Sequence, residues 1–352
     1  MSSFMRHSPA CITDSPDALT PSSPGRRRLL GAAAAGLSTT ALAIRPSPAV
    51  AQTAAWPSKP IRLVVTYPTG GVSDAVARLL APRLAERLGT QVIVENKGGA
   101  GGSIGMDAVA KSADGHTLAF AAVSPITLNA HLMKLAYDPL ADLVPVACVM
   151  VSPVWLLATP LFTGRSFADV LAQSRARPGS LRLATSGVAS VGHLMLEQIR
   201  DKARVDIVHV PYKGGGQIFT DAVGGQFELL TTNPGPAVNP QVAKGTLRLL
   251  AVGAPRRLET HPEAPTLAEL GFAEANLTST FGLFAPASMP PAIVQRINEE
   301  VDRLLLQPEL RARLIETDNL PAPMSQADFA SLVRRDYESN GRIVRSADIR
   351  AQ

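Results

Sequence analysis

The sequence predicts an α/β protein with two lobes and a ligand cleft between them. A β-α-β-α-β pattern fills residues 61–123, and a second alternation of helices and strands fills about 152–278. Such alternation is typical of parallel sheets covered by helices. Two further strand-like runs, at 146–160 and 278–290, cross between the units. The chain is therefore expected to leave the first unit, build the second and return.

The first unit alternates cleanly. It opens with the apolar run IRLVVTY, as expected of a buried parallel strand, followed by DAVARLLAPRLAERLG with apolar residues at helical spacing. The pattern continues as strand, helix and strand over QVIVEN, SIGMDAVAKSA and HTLAFAAV.

The second unit repeats this design. Its helices are predicted over SFADVLAQSRARP, GHLMLEQIRDKA and QIFTDAVGG, and its strands over LRLATS, VDIVHVPY, FELLTT and TLRLLAVG. After the returning strand, two amphipathic helices follow over PAIVQRINEEVDRLLLQP and SQADFASLVRRDYESNGRIVRSA. These helices can rejoin the first unit. We therefore expect lobe 1 at 52–151 plus 279–352, and lobe 2 at 152–278.

Residues 1–51 have the features of a cleaved signal peptide. Three arginines, 26–28, precede a short apolar core at 29–44, and Ala-Val-Ala at 49–51 fits a cleavage site. The core is shorter than the roughly 20 residues of a membrane span. The paired arginines also fit a twin-arginine signal, so both export routes stay open. We expect a periplasmic protein.

Composition and charge exclude several classes of function. The chain has 352 residues, 46% of them apolar, and a net charge of +5. Residues 1–51 hold five arginines and two aspartates, so the charge of the remainder is +2. No basic block with interleaved aromatic residues remains, which argues against a nucleic-acid partner. Cys148 is the only cysteine after residue 51, which excludes an intramolecular disulfide and multi-cysteine metal sites.

The strand-to-helix turns are the candidate site, because ligands of open α/β sheets sit beyond the carboxyl ends of the strands. In the first turn, YPTGGVSD at 67–74, two glycines permit close backbone approach, and Ser73 or Asp74 is expected to cap the helix. The second turn, ATSGVASVGH at 184–193, repeats the arrangement. The amides of a helix N-terminus can bind a carboxylate or phosphate without a cation. One such turn per lobe suits a small dianion, although an ordinary capped turn is the alternative.

Later turns offer further candidates. After the strand that ends HVPY, Tyr212 could line the cleft, and Lys213 could add positive charge or be a solvated surface residue. Asn233 lies in the turn TTNPGP. Phe281, on the returning strand, could pack against the carbon skeleton of a ligand.

The glycine-rich loop NKGGAGGSIG at 96–105 does not fit a nucleotide-binding loop. A dinucleotide loop needs glycines at n, n+2 and n+5, but the third position here is Ile104. A Walker loop needs lysine and then serine or threonine after its last glycine, but methionine follows Gly105. The loop is predicted to be a strand-to-helix turn with Ser103 as the cap.

Several blocks, in order along 56–352, resemble the Bug (TctC-like) solute receptors, the extracytoplasmic components of tripartite tricarboxylate transporters. The blocks are WPSKPIRLVVTYPTGGVSDAVAR, VIVENKGGAGGSIGMDAVAKSADGHTL, ATSGVASVGHLMLE, HVPYKGGGQIFTDAVGGQ, KGTLRLLAVGAPRR and FGLFAPASMPPAIVQRIN. Two positions depart from the family pattern: Thr69 stands where proline is frequent, and Phe281 where tryptophan is frequent.

The resemblance implies a two-lobed periplasmic binding protein fold (type II-like), no catalysis and no cofactor. It also implies binding of a small carboxylate, either for the membrane subunits of a transporter or for sensing. We further expect a monomer without a nucleic-acid partner. Backbone amides and ordered water are expected to hold the ligand. With the candidates from the turns, the predicted ligand-binding residues are Tyr67, Thr69, Gly70, Gly71, Ser73, Asp74, Ser124, Thr185, Ser186, Gly187, Ser190, His193, Tyr212, Lys213, Asn233 and Phe281.

Two alternatives use His193. An exported α/β hydrolase or isomerase would use Ser186 and His193, but the sequence shows neither G-x-S-x-G nor an orienting acid. His193 and Glu197, four residues apart, could share a helix face as metal ligands, but no third ligand follows. We therefore expect no metal site and no catalytic residue.

Overall fold

The computed structural model describes residues 56–346 of the chain. The predicted signal peptide, 1–51, lies outside the described residues. The strands are β1 (Ile61–Val65), β2 (Val92–Asn96), β3 (Thr117–Ala122), β4 (Leu143–Ala158), β5 (Arg182–Thr185), β6 (Val208–Pro211), β7 (Leu229–Thr232), β8 (Arg248–Gly253), β9 (Thr278–Pro286) and β10 (Leu320–Pro321). The α-helices are α1 (Val72–Leu88), α2 (Ser103–Ala110), α3 (Ser124–Thr127), α4 (Asn129–Leu132), α5 (Phe167–Ala176), α6 (Val191–Ala203), α7 (Gly215–Val223), α8 (Asn239–Ala243), α9 (Pro291–Leu305), α10 (Pro308–Ile315) and α11 (Gln326–Ser346). None of these helices is long and apolar enough to cross a membrane.

Every strand and helix predicted from the sequence is present, and the additional elements are short. The unpredicted elements are α3, α4, α8, α10 and β10, which have two to eight residues each. Segments of this length contain at most about two helical turns, too few for a recognisable hydrophobic period.

Lobe 1 is built on a mixed sheet. Strand β1 pairs in parallel with β2 and β3, and β9 runs antiparallel between β3 and the first part of β4. The short β10 pairs with β4 at Met150 and Val151. We use "lobe 1" for this sheet and the helices packed on it.

Lobe 2 repeats the design with different strand order. Strand β5 pairs in parallel with β6 and β7, and the last residues of β4, Val154–Ala158, run antiparallel between β7 and β8. The 16-residue β4 therefore belongs to both sheets. We use "lobe 2" for this second sheet and its helices. The observed arrangement is the predicted two-lobed α/β fold, whereas the exact residues at which one lobe gives way to the other stay a prediction.

The terminal helices pack on lobe 1. Val294 and Val301 of α9 share a buried apolar cluster with Leu63 of β1, while the ring of Phe329 in α11 lies 5.5 Å from that of Phe284 in β9. Fully buried apolar side chains supply most of the favourable free energy of such packing. The chain thus returns to the unit from which it started.

Two predicted helix caps are wrong. Helix α1 begins after Gly71, without a side-chain cap, and neither Ser73 nor Asp74 occupies the capping position. Helix α2 begins after Gly102, and the Ser103 hydroxyl accepts a hydrogen bond from the side-chain amide of Asn129 at 2.7 Å. Gly102 has a φ of 97°, which favours glycine, whereas Gly71 has ordinary extended backbone. In both cases the hydroxyl or carboxyl group is free for another contact.

Candidate functional site

A cleft lies between the two lobes at the strand-to-helix turns. Its volume is about 630 Å³, including the open mouth. It is lined by Tyr67, Gly71, Val72, Ser73, Ala122, Ser124, Val154, Ser186, Ser190, Val191, Gly192, Phe219, Thr231, Thr232, Asn233, Ser279 and Phe281. This is the position at which open α/β sheets bind ligands.

Half of the predicted ligand-binding residues line the cleft. Those on the lining are Tyr67, Gly71, Ser73, Ser124, Ser186, Ser190, Asn233 and Phe281. The lining does not include the other eight, which are Thr69, Gly70, Asp74, Thr185, Gly187, His193, Tyr212 and Lys213. Whether any of the sixteen binds the ligand stays a prediction.

The sequence reading missed nine lining residues. They are Val72, Ala122, Val154, Val191, Gly192, Phe219, Thr231, Thr232 and Ser279. Val191 and Gly192 lie inside the predicted second turn, 184–193, but they carry no polar side chain that would have singled them out. Thr231 and Thr232 end a predicted strand, and the rule of ligands at carboxyl ends of strands points to them.

In lobe 1, a carboxylate and a guanidinium hold the turn from behind the cleft. The Asp74 carboxylate accepts a hydrogen bond from the Gly70 amide at 3.1 Å and pairs with Arg78 at 2.9 Å. Asp74 is buried, whereas the Arg78 side chain is half exposed. Within the described range no hydrogen bond uses the amides of Val72 and Ser73, as expected for the first turn of a helix. These donors are available at the cleft.

In lobe 2, hydroxyl groups and an imidazole hold the turn. The Thr185 hydroxyl accepts from the Gly187 amide at 3.2 Å, and the Ser190 hydroxyl caps α6 by accepting from the His193 amide at 3.2 Å. The His193 Nδ1 accepts from the Ala189 amide at 3.2 Å. The amides of Val191 and Gly192 make no hydrogen bond to any other described residue. The first turn of α6 therefore presents free donors to the cleft from the second lobe.

Two stacked histidines lie behind this turn. The rings of His193 and His209 are 4.1 Å apart and nearly parallel, and His209 Nε2 lies 2.8 Å from the Thr185 hydroxyl. Burial, together with the nearby His193 and Arg200, lowers the pKa of His209 to about 3. Burial acts to raise the pKa of Glu197, but the hydrogen bond with His193 and the charge of Arg200 outweigh it, so this pKa is lowered. His209 is therefore neutral at pH 7.

This placement gives His193 a structural role and leaves the enzyme alternative without support. His193 is 4% exposed, and within the described residues no hydrogen bond joins it to Ser186. A nucleophile and its base need such a contact. Likewise, no cluster of three potential metal-binding side chains exists within 56–346, so His193 and Glu197 remain a pair.

The tyrosines near the cleft are neutral. Burial raises the pKa of Tyr67 to about 12, although a hydrogen bond with Ser124 acts in the opposite direction. The Tyr212 hydroxyl donates to Asp221 at 2.6 Å, and burial with that contact raises its pKa to about 12. Tyr67 can therefore donate a hydrogen bond into the cleft, whereas Tyr212 is already paired. Lys213 is exposed at the surface.

The two lobes touch through glycines. A Cβ atom on Gly101, in the glycine-rich loop of lobe 1, would lie 2.7 Å from the Val188 carbonyl in lobe 2. A Cβ atom on Gly214 in lobe 2 would lie 2.4 Å from the Pro68 ring in lobe 1. Both distances are too short for real Cβ atoms, so only glycine permits this approach. The two lobes are therefore in contact around the cleft in this structure.

Comparison with known proteins decides the family. A family model described as "Tripartite tricarboxylate transporter family receptor" matches residues 76–349, well over half of the chain. The chain belongs to this receptor family. Protein BugT of Bordetella pertussis is 38% identical to the receptor over 253 residues, which cover 71% of this chain and 77% of BugT.

Two solved structures of ligand complexes are also similar to the receptor. A structure of R. palustris Rpa4515 with adipate has a TM-score of 0.79 and 31% identity, covering 84% of this chain and 99% of the other. MatC from Rhodopseudomonas palustris with bound malate has a TM-score of 0.77 and 30% identity, covering 82% and 99%. The family consists of transporter receptors, so the receptor works outside the cytoplasm.

Proposed function

We propose that the receptor binds a small carboxylate in the cleft and presents it to the membrane subunits of a transporter. The observation that carries the proposal is that the first turns of α1 and α6, one from each lobe, line the cleft with unpaired amides. The positive end of a helix dipole favours an anion at such a position. Residues of the lining contribute hydroxyl groups but no lysine, arginine or histidine side chain.

The contacts proposed for the ligand come from the eight predicted residues on the lining together with Val72, Val191 and Gly192. Backbone amides and the hydroxyls of Ser73, Ser186 and Ser190 supply donors, and Phe281 supplies an apolar wall. Adipate and malate, the ligands of the two similar structures, are both small carboxylates. They support the ligand class without selecting the compound.

Ligand binding is expected to favour the closed arrangement. A ligand shifts a conformational equilibrium only by its difference in affinity for the two states, and only the closed lobes offer both sets of amides to one molecule. We propose that the receptor acts in the periplasm as a monomer, without cofactor, metal, nucleic acid or catalysis.

Isothermal titration calorimetry of the purified protein tests the proposal. The panel contains mono-, di- and tricarboxylates, amino acids and sugars. We expect saturable binding of at least one carboxylate and no binding of sugars. Binding of a sugar or other neutral solute with no response to any carboxylate would contradict the proposal. Turnover of a bound carboxylate, followed by mass spectrometry, would show that the receptor is also an enzyme.

A further inference from the structure

The edge strands of the two lobes end at the entrance to the cleft. In the strand order β2-β1-β3-β9-β4-β7-β5-β6, the crossing strands β9 and β4 are central, whereas β2 and β6 are outermost. Val154 of β4 and Phe281 of β9 line the cleft. The loops that follow β2 and β6 are therefore the parts of the two walls farthest from the crossing strands. They border the opening through which a ligand enters.

The two loops meet on one proline ring. A Cβ atom on Gly98, after β2, would lie 2.6 Å from the Pro68 side chain, and one on Gly214, after β6, would lie 2.4 Å from it. Pro68 separates Tyr67, on the cleft lining, from Thr69, which is exposed. This contact therefore marks the border between the cleft and the solvent.

Each of the two glycines follows an exposed lysine, which is Lys97 in lobe 1 and Lys213 in lobe 2. Neither lysine forms an ion pair within residues 56–346, where the paired lysines are Lys59, Lys111 and Lys202. The border of the cleft thus carries one unpaired lysine from each lobe.

The carboxylates near the two loops already have other partners. These pairs are Asp74 with Arg78, Glu95 with Arg62, and Asp221 with the Tyr212 hydroxyl. Because a tyrosine hydroxyl is a neutral partner, the charge of Asp221 offsets one of the two lysines at most. The entrance therefore remains positive.

The cleft needs a source of long-range attraction for an anion. Its lining contains no lysine, arginine or histidine side chain, and the influence of a helix dipole falls off within about one turn. The attraction of a full charge extends much farther, over about 30 Å at 0.01 M ionic strength. The lysines at the entrance are thus placed to act on a ligand before the amides of the cleft can bind it.

We propose that Lys97 and Lys213 attract the anionic ligand to the entrance and raise its association rate without contacting it in the cleft. Neither side chain is on the cleft lining. A charge at the rim of a binding site changes mainly the association rate and its salt dependence. Lys213, predicted from the sequence as a ligand contact, here acts at a distance. This inference rests on the proposed function and concerns how fast the ligand enters.

Stopped-flow fluorescence tests the inference on the purified protein at 0.01 M and 1 M ionic strength. Malate is the probe, and the tightest-binding dicarboxylate of the calorimetry panel replaces it if malate does not bind. The screening length falls from about 30 Å to about 3 Å between these conditions. We expect Lys97→Gln/Lys213→Gln to lower the association rate about fivefold at 0.01 M and less than about 1.5-fold at 1 M. The dissociation rate should stay within about twofold of the wild type.

A matched control removes two lysines far from the entrance. Lys59 precedes β1 and Lys244 precedes β8, so both lie at the amino ends of strands, away from the cleft. Lys59→Gln/Lys244→Gln has the same net charge as the first variant and should keep the association rate within about 1.5-fold of the wild type. Lys97→Arg/Lys213→Arg keeps the positive charges and should associate as fast as the wild type.

Several outcomes would overturn the inference while leaving carboxylate binding intact. They are an unchanged association rate in Lys97→Gln/Lys213→Gln at low salt, an equal loss in the control variant, a loss that persists at 1 M, and a similar loss in the arginine variant. Circular dichroism and thermal melting confirm that each variant is folded. Failure of every carboxylate of the panel to bind would overturn both this inference and the proposed function.

Discussion

The first strand-to-helix turns of the two lobes have equivalent positions at the cleft but are held in place by different side chains. Each follows a parallel strand and aims the N-terminus of a helix at the cleft. In lobe 1 the turn is held by the Asp74 carboxylate and Arg78, whereas in lobe 2 it is held by Thr185, Ser190 and His193. The first turn of α1 contains an acidic residue, and that of α6 contains none.

In both turns, polar side chains hold the backbone in place. Asp74, Thr185 and His193 are predicted ligand contacts, yet their hydrogen bonds fix the backbone of the turns. The groups left for a ligand are mainly amides and small hydroxyls. The negative charge of Asp74 in the first turn of α1 is paired with Arg78 at 2.9 Å, whereas the first turn of α6 holds no acidic residue.

The contact between Gly192 and Thr231 should make lobe 2 the more sensitive to an added methyl group. A Cβ atom on Gly192 would collide with Thr231, whereas one on Gly71 would have its nearest neighbour, the Pro68 carbonyl, at 4.0 Å. Overpacking of this kind costs about 1–3 kcal/mol. We expect Gly192→Ala to lower the free energy of unfolding by that amount and Gly71→Ala to change it by less. Urea denaturation measures both.

A double mutant identifies the cause. If the collision with Thr231 is responsible, then Thr231→Ala should recover part of the stability lost in Gly192→Ala, giving a favourable coupling energy. Additive losses, or a Gly192→Ala variant as stable as Gly71→Ala, would show that the α6 end is less tightly packed than the structure indicates.

The contact between lobes should tolerate an added methyl group poorly as well. Gly214 has a φ of 136°, and a Cβ atom there would press on Pro68 of the lobe 1 turn. Gly214→Ala is therefore expected to hold the lobes apart and to weaken carboxylate binding about three- to tenfold, because the closed state becomes less populated. Small-angle scattering should show a smaller ligand-induced decrease in the radius of gyration than for the wild type.

Gly225→Ala separates backbone strain from this collision. Gly225 also has a positive φ, 67°, but a Cβ atom there would meet nothing within 4 Å. It should lose stability without losing affinity. Wild-type affinity in Gly214→Ala would mean that the lobes do not need this contact to close.

The two-lobed architecture could be predicted because its signals are local. The apolar runs of β4 and β9 are long enough to identify the crossings between lobes, and the helical periods of α9 and α11 are distinct. The candidate site was predictable in part for the same reason. Glycines and small hydroxyl residues after a strand mark the turns that reach the cleft.

Other contacts at the cleft join residues that are distant in sequence. Strand β7 lies beside β5, although β6 follows β5 along the chain. That strand order brings Thr231 against Gly192, and no local pattern encodes it. The side chains of His193 and His209 likewise meet across elements, so their stacking and the role of His193 behind the turn were not evident from composition or spacing.

The last difference between the turns is their response to acid, and here the expected effect is smallest. The pKa of His209 is about 3 in the folded protein, below the ordinary value of 6.5. Between these values the unfolded chain binds a proton that the folded chain does not, so stability falls as the pH falls through this window. The slope has an upper limit of about 1.4 kcal/mol per pH unit. Integrated from pH 6.5 to 5, these values give about 1.6 kcal/mol. Because the His209 side chain is only half-buried, solvent screening reduces the effect, so we expect the wild type to lose about 1 kcal/mol more than His209→Gln.

Urea denaturation at these two pH values measures the difference. The window avoids Glu197, because its lowered pKa keeps this carboxylate ionised above the ordinary value of 4.5, and the stability it contributes is lost only below that pH. Parallel pH dependences for the wild type and His209→Gln would mean that His209 is solvated enough to accept a proton. The two histidines would then not make the lobe 2 turn more sensitive to acid than the lobe 1 turn, which Asp74 and Arg78 hold.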